Sequence, residues 1–192
     1  SKVKESNVHK VFGVKHWFLE HWPVRGENIL RDHYKKRLNR AQKSIVIVTP
    51  YFIPNRWLVK CLEQAVARGV LVEVILPQKS DHHLSDFVNY LFIDSLRHSG
   101  IHFFLTREML HAKALLIDDS EGMIGSQNID ALSFDFNVEA GLFFKRKDMV
   151  ASLRKVLGKW KEGALTPEQV QFKKQWYHHI LEPIAYLLHP FL

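Results

Sequence analysis

Apolar and polar positions along this chain repeat with two different periods, and the two periods alternate. Apolar residues recur every three or four positions in four segments, which predicts amphipathic helices. Gly69 and Gly100 stand where two of these segments stop, as expected of residues that end helices. The predicted helices cover residues 27–42, 56–68, 84–98 and 149–160.

Short apolar runs lie between the predicted helices and predict strands: SIVIV, LVEVILP, IHFFL and VEAGLFF. The run at 45–48 is continuous and β-branched, as expected of a strand buried on both faces. A hairpin is predicted from strand 112–118, a turn at 119–122 and strand 123–126. The alternation predicts an α/β fold, specifically an α-β-α sandwich with a mixed, mostly parallel sheet and helices on both faces.

We expect one α/β domain over residues 26–163 with an appendage at each end. Residues 1–25 show no clean period and are expected to be a linker or the end of a preceding segment. Residues 164–192 are expected to form a C-terminal helical tail, whose apolar stripe docks on a protein surface or lies in a membrane interface. Because the chain begins with Ser1 rather than Met, we expect it to be part of a longer protein.

Composition narrows the choice of compartment and partner. The chain has 192 residues and a single cysteine, Cys61, so an internal disulfide is impossible and a reducing compartment is expected. No apolar run reaches the length of a membrane-spanning helix, and no signal peptide is visible. The net charge is +7, and residues 1–43 carry all of the excess, with eleven Lys and Arg against four Asp and Glu. This basic region is either a surface for nucleic acid or acidic membrane, or simply a solvated helix face.

The segment HAKALLIDDSEGMIGSQN at 111–128 carries the candidate chemistry. His111 and Lys113 are two apart on an extended segment, so their side chains are expected to point the same way. Asp118 follows after four residues, and Gly125, Ser126 and Asn128 follow in a loop of small residues. This set predicts a phosphate site with an attacking group.

A neutral histidine can attack phosphorus and form a covalent phosphohistidine. Lys113 is then expected to supply a positive charge for the phosphoryl oxygens, and Ser126 and Asn128 neutral donors. Gly125 allows close backbone approach because it lacks a Cβ. Glu139 is the candidate to anchor the other ring nitrogen of His111. These groups do what Mg²⁺ does elsewhere, so no metal is expected, and the lack of a carboxylate cluster with metal-ligand spacing is consistent with that. No cofactor is expected either.

A second His-x-Lys triplet, His33-Tyr34-Lys35, shows that the triplet alone means little. Arg40 stands where the aspartate would have to be, and no Gly-Ser-x-Asn follows. The triplet falls within a predicted helix, so we interpret it as part of a solvated basic face.

The spacing of residues 111–128 resembles the HKD motif of the phospholipase D superfamily. The flanking segments PYFIP, KSDHH, LHAK, IGSQNID and FNVEAGL resemble the C-terminal half of bacterial cardiolipin synthases of that type. The resemblance implies that Asp118 is structural and that Glu139 is the partner of His111. It also implies two such motifs meeting at one site, one histidine attacking and the other protonating the leaving group.

The resemblance implies phosphatidyl transfer on an anionic phospholipid such as phosphatidylglycerol, by a protein in peripheral contact with the cytoplasmic face of the inner membrane. The second half is expected either in the missing N-terminal part of the same protein or in a homodimer. Two alternatives stay open: a homodimeric metal-independent nuclease or phospholipase D hydrolase, and a non-catalytic half that completes a partner's site. Nucleic acid is a partner only under the first.

Three loop residues are possible substrate contacts at the mouth of the site: Tyr51, Asp81 and His82. The alternatives are core packing for Tyr51 and a helix N-cap for Asp81.

Overall fold

The computed structural model describes residues 9–10, 16–23 and 28–170 of the chain. Eight strands form a single sheet, and four helices pack on its two faces. The strands are β1 His9–Lys10, β2 His16–His21, β3 Ser44–Val48, β4 Leu71–Pro77, β5 Ile101–Thr106, β6 Ala114–Ile117, β7 Glu121–Gly125 and β8 Glu139–Phe144. The helices are α1 Ile29–Arg40, α2 Arg56–Ala67, α3 His83–Leu96 and α4 Lys147–Glu162, with a π-helix over Leu132–Phe136 and a 3-10 turn over Pro167–Gln169.

The strand order in the sheet is β1-β2-β8-β7-β6-β3-β4-β5. The α/β sandwich with a mixed sheet is confirmed, but the prediction that the sheet is mostly parallel is wrong. Only β3–β4 and β4–β5 pair in parallel, whereas the other five pairs are antiparallel. The reason is the hairpin β6–β7, whose short turn forces antiparallel pairing, and β8 and β2 then continue that pattern outward.

Residues 16–21 form a strand of the sheet rather than part of a linker. β2 pairs along its whole length with β8, from His16 opposite Phe144 to His21 opposite Glu139. Trp17 stacks on Phe143 with ring centroids 5.7 Å apart. The sheet therefore begins before the boundary at residue 26 that the sequence indicated.

The two faces of the sheet are covered unequally. Helices α1, α2 and α3 pack on one face, where the large core includes Leu38, Leu62 and Ile93. Among the described elements, helix α4 is the one that packs on the other face, through residues such as Val150 and Leu157. In the described part of the chain, no helix is both long enough and apolar enough to cross a membrane.

The predicted C-terminal tail is described only as far as Val170. Leu165 pairs with Leu105 of β5 through two backbone hydrogen bonds of 2.8 Å, so this part of the segment lies along the edge of the sheet. Residues 176–192, which carry the apolar stripe, lie outside the described residues.

Candidate active site

Loops from six strands meet at one edge of the sheet, which we call the site edge. The carboxyl ends of β3, β4 and β5 lie there because these strands are parallel. Strands β6 and β8 begin at this edge and β7 ends at it, since Val48 pairs with Ala114, Ala114 with Ile124, and Gly125 with Gly141. The site edge therefore gathers every candidate site residue of the sequence except Asp118.

His111 and Lys113 lie in the loop that leads into β6, and their side chains contact each other. The Lys113 Nζ is 2.9 Å from Nδ1 and 3.3 Å from Nε2 of the His111 ring, and it also donates to the His111 carbonyl at 2.9 Å. Burial lowers the pKa of Lys113, while the charges of Glu139, Asp81 and Asp130 oppose that shift. The two side chains thus lie on the same side of the loop, as their spacing predicts, with the ring exposed to solvent.

Tyr51, Asp81 and His82 come together beside His111. The Tyr51 hydroxyl donates to Asp81 Oδ1 at 2.5 Å, and the Tyr51 ring meets the His111 ring edge-on with centroids 6.3 Å apart. The His82 ring lies 6.0 Å from that of Tyr51. Burial raises the pKa of Tyr51 to about 12, and the Tyr51 hydrogen bond lowers the pKa of Asp81. Tyr51 is only half-buried and the N-cap of α3 is His82, so neither alternative role for these residues fits the geometry.

Ser126 and Glu139 form a hydrogen-bonded pair on the other side of the site edge. The Ser126 hydroxyl donates to Glu139 Oε2 and accepts from the Ala140 backbone N–H at 3.0 Å. Glu139 is buried, and no hydrogen bond in the described part of the chain joins it to His111. Anchoring of His111 by Glu139 therefore stays a prediction, which requires a side-chain arrangement different from the present one.

Asn128 is held in a polar pocket that includes Asp130. The Asn128 backbone N–H donates to Ser133 Oγ at 3.0 Å, and the Asn128 side chain hydrogen-bonds to Asp130. Burial raises the pKa of Asp130, while its hydrogen bonds from Ser133 and Asn128 act in the opposite direction. Asn128 Oδ1 is buried without a hydrogen-bond partner among the described residues, and this leaves one acceptor for a ligand or a water molecule.

Gly125 has no room for a side chain. A Cβ at this position would lie 2.7 Å from the Ala140 carbonyl oxygen and would also collide with Gln127 Oε1. Gln127 is itself buried, donating to the Tyr34 hydroxyl at 2.9 Å. Where the small-residue loop begins, the β8 backbone and the buried Gln127 amide therefore leave no space for a side chain on β7.

Asp118 lies at the opposite edge of the sheet, at the far end of β6. Its Oδ1 accepts from the backbone N–H groups of Gln42, Lys43 and Ser44 at 3.1, 2.7 and 3.0 Å. The residue itself has a φ of 52°, in the left-handed region. The carboxylate thus joins the β6–β7 turn to the α1–β3 connection, which is a structural role.

The second His-x-Lys triplet lies on α1 and takes no part in the site edge. His33 Nδ1 is 2.9 Å from Nη1 of Arg37, and burial lowers the pKa of His33. Arg37 also pairs with Glu121 at 2.5 Å, so part of the basic charge of α1 is neutralised inside the fold.

Asn89 of α3 is a positioning residue that belongs to none of the sequence motifs described above. Its Oδ1 accepts from the Phe52 N–H at 2.7 Å and its Nδ2 donates to the Pro50 carbonyl at 3.1 Å. The two bonds hold the backbone on both sides of Tyr51, and Asn89 is 2% exposed. The sequence does carry one indication of this role, which is an amide on the apolar face of a predicted helix. A polar side chain is rarely buried unless it is hydrogen-bonded.

Asn89→Ala is expected to lower the free energy of unfolding by about 2 kcal/mol, because two backbone groups at Pro50 and Phe52 lose a buried partner. Urea unfolding measures the change. Asn39→Ala is the matched control, since Asn39 is an exposed asparagine on α1, and it should change stability by less than about 0.5 kcal/mol. Equal effects of the two substitutions would contradict the role of Asn89.

The chain is similar in sequence to one family of known proteins. The family model described as cardiolipin synthase, phospholipase D-like domain, matches residues 34–160. A cardiolipin synthase 1 of Staphylococcus epidermidis is 32% identical over 161 residues, which cover 83% of this chain and 33% of that protein. A cardiolipin synthase of Clostridium perfringens is 31% identical over 132 residues, covering 68% of this chain and 28% of that protein. The chain thus spans about a third of the length of these relatives.

Two solved structures share the fold at low sequence identity. A phosphatidylserine synthase of Haemophilus influenzae superposes with a TM-score of 0.71 at 17% identity, covering 92% of this chain and 48% of that one. Nuc of Salmonella typhimurium, a phospholipase D family member, superposes with a TM-score of 0.65 at 17% identity, covering 79% of this chain and 97% of that one. The family model matches residues 34–160, which include every residue named at the site edge. The chain therefore belongs to the cardiolipin synthase, phospholipase D-like domain family.

Proposed function

We propose that the chain is one half of a phosphatidyltransferase of the cardiolipin synthase type, which transfers a phosphatidyl group between anionic phospholipids through a phosphohistidine. The observation that carries the proposal is the contact of Lys113 with the His111 ring at a site edge that also presents Ser126 and Asn128. The names of the similar proteins support the reaction type.

The first step is attack of a His111 ring nitrogen on the phosphorus of a phosphatidylglycerol-like lipid. An N–P bond forms and the P–O bond to the headgroup breaks, so the leaving alkoxide needs a proton. Lys113 stabilises the negative charge that develops on the phosphoryl oxygens. In the second step the hydroxyl of another lipid attacks phosphorus, loses its proton to a base, and displaces the histidine.

The proton requires a second histidine. One imidazole that is bonded to phosphorus cannot also protonate the leaving group, and His111 is the one imidazole of an HKD motif in this chain. A second half must therefore face the site edge, supplied by the same longer protein or by a second copy of this chain. Which of the two histidines attacks depends on which half binds the lipid first.

The three loop residues and the membrane contact belong to the same proposal. Tyr51, Asp81 and His82 border the exposed side of His111, where an entering headgroup would meet them. A substrate embedded in a bilayer requires peripheral contact of the site edge with a lipid surface, which we place at the cytoplasmic face of the inner membrane.

A nuclease is the less favoured alternative. The basic residues near the end of α1 lie at the edge of the sheet opposite to the site, beside the backbone groups that bind Asp118. They are therefore poorly placed to hold the phosphates that flank a scissile bond at His111. A nuclease would also show a steep loss of binding with salt, whereas a lipid enzyme responds to the lipid content of vesicles.

The test is a transfer assay on phosphatidylglycerol vesicles with the chain alone and with the N-terminal half of a relative added, each with and without EDTA. We expect cardiolipin and free glycerol, unaffected by EDTA because no step uses a metal. Phosphatidic acid as the only product would indicate a hydrolase, and cleavage of single-stranded DNA without lipid turnover would indicate a nuclease. Inhibition by EDTA would contradict the metal-free mechanism.

Glu139→Gln is expected to slow transfer by about 100-fold while the fold is retained, because the amide keeps the size of the side chain and removes its charge. Steady-state transfer rates measure the effect, with circular dichroism as the check on folding. Ser126→Ala is the companion variant, since it removes the present partner of Glu139. An unchanged rate in Glu139→Gln would show that this carboxylate supports neither His111 nor Lys113.

A further inference from the structure

A long apolar groove runs along the face of the sheet that α4 covers only in part. Its volume is about 840 Å³, within the range of ligand sites in proteins. Its floor is one cross-strand row, in which Ala114 pairs with Ile124, Ile124 with Leu142, and Leu142 with Phe18. Ile124 and Phe18 are each 44% exposed, although both lie in the interior of paired strands.

The groove opens at the site edge. Lys113 directly precedes Ala114 of the floor, and Ser126 and Gly125 line the same end of the groove. Helix α4 forms the opposite wall, with Met149 at the far edge of the sheet. Along β8 the groove is lined from Ala140 to Phe144, a distance on the order of 13 Å at about 3.3 Å per residue.

Polar groups in the groove are few and unevenly placed. Lys113 lines the groove where it meets the site edge, whereas the carboxylate of Asp148 at the distant end is neutralised by Arg146. A ligand that matches this arrangement carries its negative charge at one end and a long apolar chain behind it. A phospholipid has that arrangement, because its phosphodiester is anionic and its acyl chain is apolar.

We infer that this groove binds an acyl chain of the phospholipid whose phosphodiester lies at His111 and Lys113. The inference rests on the proposed function and adds to it a specificity site for the apolar part of the substrate. The burial of each CH₂ group of the chain against Ile124, Leu142 and the α4 wall supplies affinity in proportion to chain length.

The test compares binding of glycerophosphoglycerol with its butyryl, hexanoyl and octanoyl monoacyl derivatives, each below its micelle concentration, by calorimetry on the full chain. For the unsubstituted protein we expect binding to tighten by about two- to fourfold per added CH₂ group. Ile124→Asn on the floor and Val156→Gln on the α4 wall should flatten this dependence and leave the affinity for glycerophosphoglycerol unchanged. Leu71→Asn is the matched control, because Leu71 is 46% exposed on β4 and lies outside the groove.

Each other outcome overturns the inference in a recognisable way. A chain-length dependence that is absent, or that survives both groove variants, would show that the acyl chain binds elsewhere or not at all. A native mass of twice 22.5 kDa that falls to 22.5 kDa in the groove variants would assign the groove to contact between two copies. Failure of glycerophosphoglycerol itself to bind would contradict the proposed function as well, whereas its binding with no chain-length dependence rejects the groove alone.

Discussion

His111→Ala is expected to lower the rate of phosphatidyl transfer by at least about 10⁴-fold, because His111 is the imidazole of the HKD motif that, in the proposed steps, bonds to phosphorus or moves the proton. The side chain is exposed, and its described contacts are with Lys113 and Tyr51, so stability should change by less than about 1 kcal/mol. Transfer on phosphatidylglycerol vesicles measures the rate, and thermal unfolding measures the stability.

His102→Ala is the matched control for that substitution, since His102 is an exposed histidine on β5 away from the site edge loops. It should leave both rate and stability unchanged. Retention of more than about a tenth of the transfer rate in His111→Ala would exclude this histidine from both chemical steps, and the non-catalytic half would then be the better account.

Asp118→Ala is expected to destabilise the fold by about 3 kcal/mol with little effect on the chemistry. Three backbone N–H groups, of Gln42, Lys43 and Ser44, lose a charged acceptor. Urea unfolding measures the loss, and transfer assayed well below the unfolding temperature should stay within about threefold of the unsubstituted rate.

Asp119→Ala controls for the backbone conformation, because Asp119 has a φ of 51°, close to the 52° of Asp118. Within the described residues its side chain makes one polar contact, at 3.4 Å with Arg154, so its substitution should cost less than about 1 kcal/mol. Loss of activity in Asp118→Ala at unchanged stability would instead give this aspartate a chemical role.

The predicted elements that depend on local periodicity are those the structure reproduces most closely. Helix α2 covers Arg56–Ala67 against the predicted 56–68, and the hairpin β6–β7 occupies the predicted segment. Gly69 and Gly100 have φ values of 81° and 86°, as expected of residues that end helices. Periodicity reports which face of an element is buried, and this information is contained in a few neighbouring residues.

Features that depend on distant pairing could not be predicted in the same way. β2 is six residues long and acquires its structure from β8, more than a hundred residues later. The direction of each strand in the sheet is also set by partners rather than by local pattern. For the same reason the sequence offered Tyr51 and Asp81 as candidates, but only the folded chain places their side chains in contact.

The candidate site shows the same division. The spacing of His111 and Lys113 was sufficient to predict that their side chains point the same way, because this relation depends only on two neighbouring positions of one segment. The structure adds that the two side chains are in contact. The partner of Glu139 could not be predicted in this way, because a carboxylate at the start of β8 lies within reach of several donors. The donor that it bonds in this structure is Ser126. The role of Asn89 could not be predicted because its two partners lie in a loop more than thirty residues earlier.

In the proposed function, the loops of the site edge bind a phosphodiester at His111 and Lys113. The most direct test is a nuclear magnetic resonance titration of the isotopically labelled chain with glycerophosphoglycerol, which needs neither a second half nor turnover. We expect saturable shifts of the resonances of His111, Lys113, Ser126 and Tyr51, with Asp118 and the α1 residues His33 and Lys35 unaffected. Shifts confined to α1 and the other basic residues near the start of the chain, with the site edge unchanged, would contradict it.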